Sequence, residues 1–321
     1  MQDFEKKAVI GEGSHALVYL VENEQGEKRA LKVYKPEPGK YADMERNFLV
    51  EASALLKVAH PNIVKLYDFS VEKDRFSLLM EYCPYGCLKF QLEDKGSFPL
   101  NKTLKTGISI LRGLMELHAN NIIHRDIKPD NILQGENGTV KLADFGLATD
   151  ETELLGKRPK GTVAYMSPEQ YTEFHKVDER SDIYSLGATL FHLYTGKELF
   201  ESDDLDDILE SHRLETTPAL TEYIPDCPQS FNYIIRKMIS KNPADRYQNA
   251  ATALEDFEAC FKGAQNINEL PSIKQFKELA NSSESIQVNA KQKINKTAIS
   301  LIIAVIGLIC LSLFFFIKGG S

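Results

Sequence analysis

Two short stretches of this sequence bring together side chains that could do chemistry. Residues 124–131 read His-Arg-Asp-Ile-Lys-Pro-Asp-Asn, and residues 144–146, which begin thirteen positions after Asn131, read Asp-Phe-Gly. A carboxylate such as Asp126 can receive the proton of a hydroxyl group, and a lysine such as Lys128 can neutralise an anion. A second carboxylate and an amide oxygen are ligands that Mg²⁺ accepts. Each stretch occurs alone by chance in many proteins, but both in this order and at this separation are not expected by coincidence.

The two stretches resemble the catalytic loop, H-R-D-x-x-x-x-N, and the metal-binding D-F-G motif of the protein kinases. The resemblance implies that Asp126 positions the hydroxyl of the substrate and that Lys128 contacts the transferred phosphoryl group. It also implies that Asn131 and Asp144 hold Mg²⁺, or Mn²⁺ in its place, beside the phosphates of ATP. The implied fold is α+β and bilobal, with a small antiparallel sheet and one helix in the N-lobe and a large, mainly helical C-lobe.

A glycine-rich turn between the first two predicted strands could bind phosphate. Residues 11–18 contain Gly11 and Gly13, and glycines let backbone amides approach phosphate oxygens without a Cβ clash. The turn departs from the family pattern G-x-G-x-x-G, because Ala16 replaces the third glycine and His15 stands at the tip. Taken alone, it fits a simple hairpin turn equally well.

Lys32 corresponds in this resemblance to the kinase lysine that contacts the α- and β-phosphates. A lysine on a strand is otherwise usually solvated, so a partner is needed to support this role. The resemblance assigns Glu51 as that partner, because the acid of the family lies nine residues before the histidine at position 60. Glu45 is the competing residue.

The elements that must position these residues follow from hydrophobic periodicity. Residues 4–34 alternate apolar and polar positions, which predicts antiparallel strands, and further strands are predicted at 64–70 and 76–82. A helix is predicted at about 41–58. The residues predicted to share one face of it are Leu49, Ala52, Leu55 and Leu56. A longer helix from Leu104 onward leads into the catalytic loop.

The resemblance also outlines an ATP pocket. Residues 80–83 resemble the hinge between the kinase lobes, with Met80 as the gatekeeper. The residues that the resemblance places around ATP are Ile10, Gly11, Glu12, Gly13, Ser14, Val18, Ala30, Lys32, Met80, Glu81, Cys83 and Leu133. Cys83 and Cys87 could instead form a redox pair, but no further ligands accompany them.

Residues 161–169 resemble the segment of the family that binds the protein substrate and ends in A-P-E, with Ser167 in place of the alanine. The resemblance pairs Glu169 with Arg246, and a buried glutamate without such a cation would be costly. It also implies that Asp182 braces the backbone of the catalytic loop.

The same segment offers candidate sites of regulation. The hydroxyl of Thr162 is expected to hydrogen-bond with Asp126 and Lys128, so Thr162 is counted among the catalytic residues. A phosphate elsewhere on the segment is expected to pair with Arg125, beside the catalytic aspartate. The threonines predicted to carry it are Thr149 and Thr152.

Composition excludes several other classes of protein. A net charge of −8 over 321 residues gives no electrostatic footprint for nucleic acid. The five cysteines are scattered without zinc-ligand spacing, which favours reduced thiols. The acidic run 201–210 fits a solvated helix face, with docking of a basic partner as the alternative.

The kinase-like part is predicted at 4–262, with an N-lobe at about 4–82 and a C-lobe at about 84–262. Residues 263–296 are polar and predict a linker. Residues 297–317 form a stretch of 21 without a charge, which as a helix spans about 32 Å, enough to cross a bilayer.

Basic residues flank this predicted transmembrane helix unequally. The lysines in question are Lys291, Lys293 and Lys296 before it, and Lys318 after it. By the positive-inside rule, the kinase domain is therefore expected in the cytoplasm. With four residues after the span, we expect a single-pass C-terminal anchor. A homodimer is left open.

The sequence therefore predicts a membrane-anchored kinase that phosphorylates Ser and Thr of proteins, including itself. Ser/Thr specificity is implied by Lys128 and Thr162, and residues 165–170 and 181–187 most resemble the membrane-bound bacterial kinases. The alternative is an ATP-binding pseudokinase scaffold, which normally lacks one of the catalytic residues. A small-molecule kinase of related fold would lack the segment 161–169.

Overall fold

Five antiparallel strands build the first part of the molecule. The computed structural model describes residues 3–13, 16–35, 41–72, 75–150, 162–172 and 176–263. The strands are β1 (Phe4–Glu12), β2 (Ala16–Asn23), β3 (Lys28–Tyr34), β4 (Leu66–Glu72) and β5 (Arg75–Glu81). They form one sheet in the order β1-β2-β3-β5-β4. The alternation of residues 4–34 thus predicts the first three strands correctly.

A single helix, α1 (Tyr41–Lys57), packs against this sheet. Its buried face consists of Met44, Phe48, Glu51, Ala52 and Leu55. The predicted face was wrong at two positions, since Leu49 is 54% exposed and Leu56 is 64% exposed. Phe48 sets the actual face, because its ring lies 5.0 Å from that of Phe76 on β5, and the residue after it turns about 100° away.

Helices dominate the second part of the molecule. They are α2 (Leu88–Lys95), α3 (Leu100–Ala119), α4 (Pro168–Thr172), α5 (Glu179–Thr195), α6 (Leu205–Leu214), α7 (Leu220–Tyr223), α8 (Gln229–Met238) and α9 (Ala250–Phe261). The helix α5 is buried almost all round, as expected for a central helix. Close packing of α3 and α9 requires Gly107, since a Cβ there would lie 2.5 Å from the ring of Phe257.

Four short strands connect the helices: β6 (Ile122–Ile123), β7 (Ile132–Gln134), β8 (Val140–Leu142) and β9 (Thr149–Asp150). The strands β7 and β8 form a hairpin in which Ile132 pairs with Leu142. Asn131 directly precedes β7 and Asp144 follows β8 by two positions, so both residues lie at the same end of the hairpin.

The acidic run 201–210 begins helix α6. Asp204 caps this helix by accepting a hydrogen bond from Asp206 N at 2.8 Å, and Asp207 lies in the first turn. Negative charge near a helix N-terminus is stabilising, so part of the run has a structural role.

These elements form the α+β, bilobal arrangement that the sequence predicts. Ser14, Thr152 and the predicted transmembrane helix at 297–317 lie outside the described residues. Within the described part of the chain, no helix combines the length and the hydropathy needed to span a bilayer.

Candidate active site

Lys32 contacts two carboxylates at the junction of the two parts of the molecule. It is fixed on the central strand β3 between Val18 of β2 and Leu78 of β5. Its Nζ donates to Glu51 Oε2 at 2.6 Å and Oε1 at 2.9 Å, and to Asp144 Oδ1 at 2.8 Å. The structure thus places Glu51, predicted on α1, beside Lys32.

The three charges shift one another's pKa. Burial opposes the charge of Lys32, but the carboxylates of Asp144 and Glu51 outweigh it and raise the pKa of Lys32 well above its usual value. The ammonium of Lys32 lowers the pKa of Asp144 to about 2. Burial raises the pKa of Glu51, because its side chain is only 1% exposed. Asp144 is therefore an anion at neutral pH.

A second cluster surrounds Asp126 in the catalytic loop. Lys128 Nζ lies 2.8 Å from Asp126 Oδ2 and donates to Thr162 Oγ1 at 2.6 Å. Asn131 Nδ2 donates to the same Asp126 oxygen at 2.9 Å. The hydroxyl of Thr162 contacts Lys128 as predicted, but the predicted contact with Asp126 needs a correction: Asp126 Oδ1 accepts from the backbone amide of Thr162, at 3.3 Å, and not from its hydroxyl.

Asp182 of α5 supports the backbone of this loop. Its two carboxylate oxygens accept from His124 N at 2.9 Å and Arg125 N at 2.8 Å. Arg125 has a φ of +69°, which is uncommon for a residue with a side chain, so these two bonds fix an unusual backbone conformation. His118 Nε2 lies 2.9 Å from Asp182 Oδ2 and holds the carboxylate in turn.

Asn131 and Asp144 offer an amide and a carboxylate at one end of the β7–β8 hairpin. A backbone bond from Ala143 N to Asn131 O, 2.9 Å long, keeps this end closed. Among the described residues, no group of three or more His, Cys, Asp or Glu side chains could hold a metal by itself. The donor set fits Mg²⁺, which binds through one or two protein oxygens together with substrate phosphates.

Strand pairing places several residues of the predicted ATP pocket next to one another. Gly11 pairs with Val18, and Val18 pairs with Lys32 on the next strand. Ala30 pairs with Met80, and both are 8% exposed. These residues therefore lie next to one another across three adjacent strand pairs.

The hinge side of the pocket forms where β7 meets the chain after β5. Gln134 N donates to Gly86 O at 2.9 Å and Tyr85 N donates to Gln134 O at 3.2 Å, which sets Leu133 opposite the hinge. Cys83 is buried, and burial raises the pKa of its thiol to about 11. The four described cysteines are free thiols.

Two predicted pocket residues direct their side chains to lysines. Glu12 Oε1 lies 2.7 Å from Lys35 Nζ, and Glu81 Oε2 lies 3.0 Å from Lys141 Nζ. Any contribution of Glu12 and Glu81 to the cleft is therefore through the backbone. Ile10 is 38% exposed near the end of β1.

The segment after Thr162 is anchored to the helical part of the molecule by Glu169. Its carboxylate accepts two hydrogen bonds from Arg246, at 2.6 and 2.8 Å, and one from Ser181 Oγ at 2.6 Å. Ser167, which replaces the family alanine, donates its hydroxyl to Gln170 Oε1 at 3.0 Å.

Sequence analysis overlooked two supporting residues. Gln170 Nε2 donates to the carbonyl of Arg125 at 2.9 Å and ties the substrate segment to the catalytic loop. Tyr34 donates its hydroxyl to Glu51 Oε2. A signal for Tyr34 existed, since it follows Lys32 by two positions on a strand and so lies on the same face. No comparable signal points to Gln170.

Two groups of residues define the class: a lysine–glutamate pair under an antiparallel sheet, and an Asp-Lys-Asn loop that a hairpin joins to a second aspartate. That set, between a small sheet lobe and a helical lobe, is the architecture of a protein kinase. Residues 4–257 match the family model described as the protein kinase domain, and the chain belongs to that family.

Several curated relatives are bacterial. The serine/threonine-protein kinase PrkC of Bacillus subtilis is 35% identical over 266 residues, which cover 82% of this chain and 40% of that protein. The serine/threonine-protein kinase PknL of Mycobacterium tuberculosis is 33% identical over 241 residues, 72% of this chain and 58% of that protein. A probable serine/threonine-protein kinase of Clostridium perfringens is 32% identical over 259 residues, 79% of this chain and 38% of that protein. The chain thus spans about two fifths to three fifths of the length of these relatives.

Proposed function

We propose that this protein is a serine/threonine-protein kinase, which transfers the γ-phosphoryl group of ATP to protein hydroxyls, including its own. The observation that carries the proposal is the bridge from Lys32 to both Glu51 and Asp144, at 2.6 and 2.8 Å. This bridge joins the nucleotide-binding sheet to the metal-binding aspartate. The serine/threonine kinases among its relatives support the choice of acceptor.

Asp126 is the group that orients the acceptor hydroxyl and receives its proton. Three donors fix its carboxylate: the ammonium of Lys128, the amide of Asn131 and the backbone of Thr162. Lys128 lies close enough to Asp126 to neutralise negative charge on the phosphoryl group as it is transferred. Catalysis of this kind depends on alignment and on charge stabilisation, which fixed polar groups supply.

Lys32 orients the phosphates of ATP, and to reach them it must release Asp144 while Glu51 keeps hold of it. Asp144 is then available, with Asn131, to hold Mg²⁺ or Mn²⁺. When bound, the metal neutralises charge on the phosphates. Adenine is expected in the cleft between Ala30 and Leu133.

A pseudokinase scaffold is the alternative function, and the residues disfavour it. Such proteins normally lack the lysine, the catalytic aspartate or the metal aspartate. Here Lys32, Asp126 and Asp144 are all present, and each has the polar partners described above. A wild-type protein that binds ATP but transfers no phosphate would favour the scaffold.

The test uses the purified full chain in detergent with radiolabelled ATP and Mg²⁺. We expect phosphoserine or phosphothreonine on the protein itself and on an added protein substrate. Lys32→Met and Asp144→Asn should each lower the rate by orders of magnitude. Lys28→Met is the matched control, since Lys28 lies on the same strand but is exposed. Equal rates for Lys32→Met and Lys28→Met would contradict the proposal.

We further propose that residues 297–317 anchor the kinase in a membrane, with the catalytic part on the cytoplasmic side. The support is the 21-residue length without a charge and the lysines that precede it. The full chain should resist carbonate extraction from membranes. Deletion of 297–321 should release the protein, whereas the control deletion of 318–321 should leave it in the membrane. Extraction of the full chain by carbonate would refute the anchor.

A further inference from the structure

Tyr34 joins strand β3 to helix α1 at the point where the lysine–glutamate pair forms. Its side chain lies on the same face of β3 as that of Lys32, two positions earlier. The phenol hydroxyl donates to Glu51 Oε2. The ring packs edge-on against Phe48, one turn before Glu51, with ring centroids 5.8 Å apart and planes at 90°. One side chain thus contacts α1 at two successive turns.

Within the described ranges of the chain, Glu51 has two donors. It is buried, and the hydrogen bonds that the described residues make to its carboxylate come from Lys32 and Tyr34. Lys32 is divided between Glu51 and Asp144, and it must turn toward phosphate when nucleotide binds. Tyr34 is only 3% exposed, and its ring lies 5.5 Å from the Nζ of Lys32. The phenol therefore need not move when Lys32 turns toward phosphate.

We propose that Tyr34 is a positioning residue for phosphoryl transfer, whose hydroxyl holds Glu51 and helix α1 where Glu51 can orient Lys32. The assignment rests on the proposed kinase function. It explains how the Lys32–Glu51 pair is held while Lys32 also contacts Asp144. A buried carboxylate that loses one donor retains its desolvation cost, so the hydroxyl favours the inward position of Glu51 over any other.

Tyr34→Phe removes the hydroxyl and keeps the ring on Phe48. We expect kcat/KM for ATP to fall about tenfold, equivalent to about 1.4 kcal/mol, with KM for the protein substrate unchanged. In nucleotide-free protein, hydrogen exchange of the α1 amides should become faster. Tyr247→Phe is the matched control, since Tyr247 also donates from a buried hydroxyl to a buried carboxylate, that of Asp256 at 2.7 Å. It should leave both readouts at the wild-type value.

A double-mutant cycle with Glu51→Ala, which leaves no acceptor for the phenol, tests whether Tyr34 acts through Glu51. In the Glu51→Ala background, Tyr34→Phe should cost less than threefold in kcat/KM. Additive effects of the two substitutions would overturn the proposal, as would unchanged kcat/KM and unchanged α1 exchange in Tyr34→Phe. If the wild type transfers no phosphate, the kinase function fails separately. The α1 exchange and the Kd for Mg·ATP then decide the role of Tyr34, because neither needs catalysis: faster exchange with weaker binding supports it, and wild-type values refute it.

Discussion

Replacing Glu169 by glutamine tests the buried ion pair that anchors the substrate segment. Glu169→Gln conserves shape and removes only the charge. The side chains of Glu169 and Arg246 are 5% and 0% exposed, so water cannot take the place of the carboxylate. One of the two guanidinium donors would face the NH₂ group of the new amide, which is itself a donor.

The magnitude follows from this burial. Removing one partner of a buried ion pair costs about 3–5 kcal/mol, because the other charge stays buried without compensation. For a domain of this size, each kcal/mol corresponds to about 2–4 °C in Tm. We therefore expect Tm to fall by about 6–20 °C. Activity toward a protein substrate should also fall, since Glu169 holds the segment that begins at Thr162.

Thermal unfolding as a function of pH measures the effect. Burial opposes the charge of Glu169, but Arg246 and Ser181 outweigh it and hold the pKa of Glu169 below its usual 4.5. A carboxyl whose pKa is lowered by folding stabilises the protein above its unfolded pKa, and this stabilisation is lost as pH falls through the folded value. The difference in Tm between wild type and Glu169→Gln should thus be constant above about pH 5.5 and shrink below 4.5.

Glu210→Gln provides the matched control. Glu210 also pairs with an arginine, Arg213, at 2.5 Å, but both side chains are nearly half exposed. Exposed pairs contribute little to stability, so Tm should not change measurably. Equal shifts for Glu169→Gln and Glu210→Gln, or a difference that grows as the pH is lowered, would refute the reasoning from burial.

Three further predictions concern the catalytic loop and the segment that follows it. Asp182→Asn sets an amide donor against one of the two loop amides, so peptide phosphorylation should slow about tenfold or more; a wild-type rate would contradict the bracing role. Thr149→Ala combined with Thr152→Ala should lower activity toward an added substrate about tenfold or more, the scale of a lost charge-assisted contact. Mass spectrometry should find phosphate at one of these sites, and its absence with a full rate in the double variant would rule out the switch. Thr162→Ala should abolish nearly all activity in phosphorylated and unphosphorylated enzyme alike.

Sequence motifs made the fold predictable, together with the clusters around Lys32 and Asp126. The spacing between Asp126 and Asn131 is local, so one short loop determines their geometry in any protein that forms it. The β7–β8 hairpin then brings Asp144 to the same place through strand pairing. Glu51 was predicted from the resemblance, in which the acid lies nine residues before a histidine, and helix α1 places it beside Lys32.

Features that depend on packing were not predictable from the sequence. Leu49 and Leu56 fit a helical stripe as well as Phe48 does, and only contact with Phe76 decides which face is buried. Gln170 supports the catalytic loop across 45 residues of chain, a distance over which periodicity carries no information. The hydroxyl of Thr162 contacts Lys128 and its backbone amide contacts Asp126. The local backbone conformation decides which group meets which partner, and residue type alone does not determine that conformation.

The contact between Lys32 Nζ and Asp144 Oδ1 makes nucleotide and metal binding interdependent. Asp144 is paired with an ammonium group 2.8 Å away, and the positive charge of this group weakens the attraction of Asp144 for a divalent cation. A phosphate that draws Lys32 away from Asp144 would leave the carboxylate free to attract the cation. Because linkage is reciprocal, the nucleotide must raise the affinity for metal by the same factor as the metal raises the affinity for nucleotide. We therefore expect this site to bind nucleotide and metal more tightly together than either one alone.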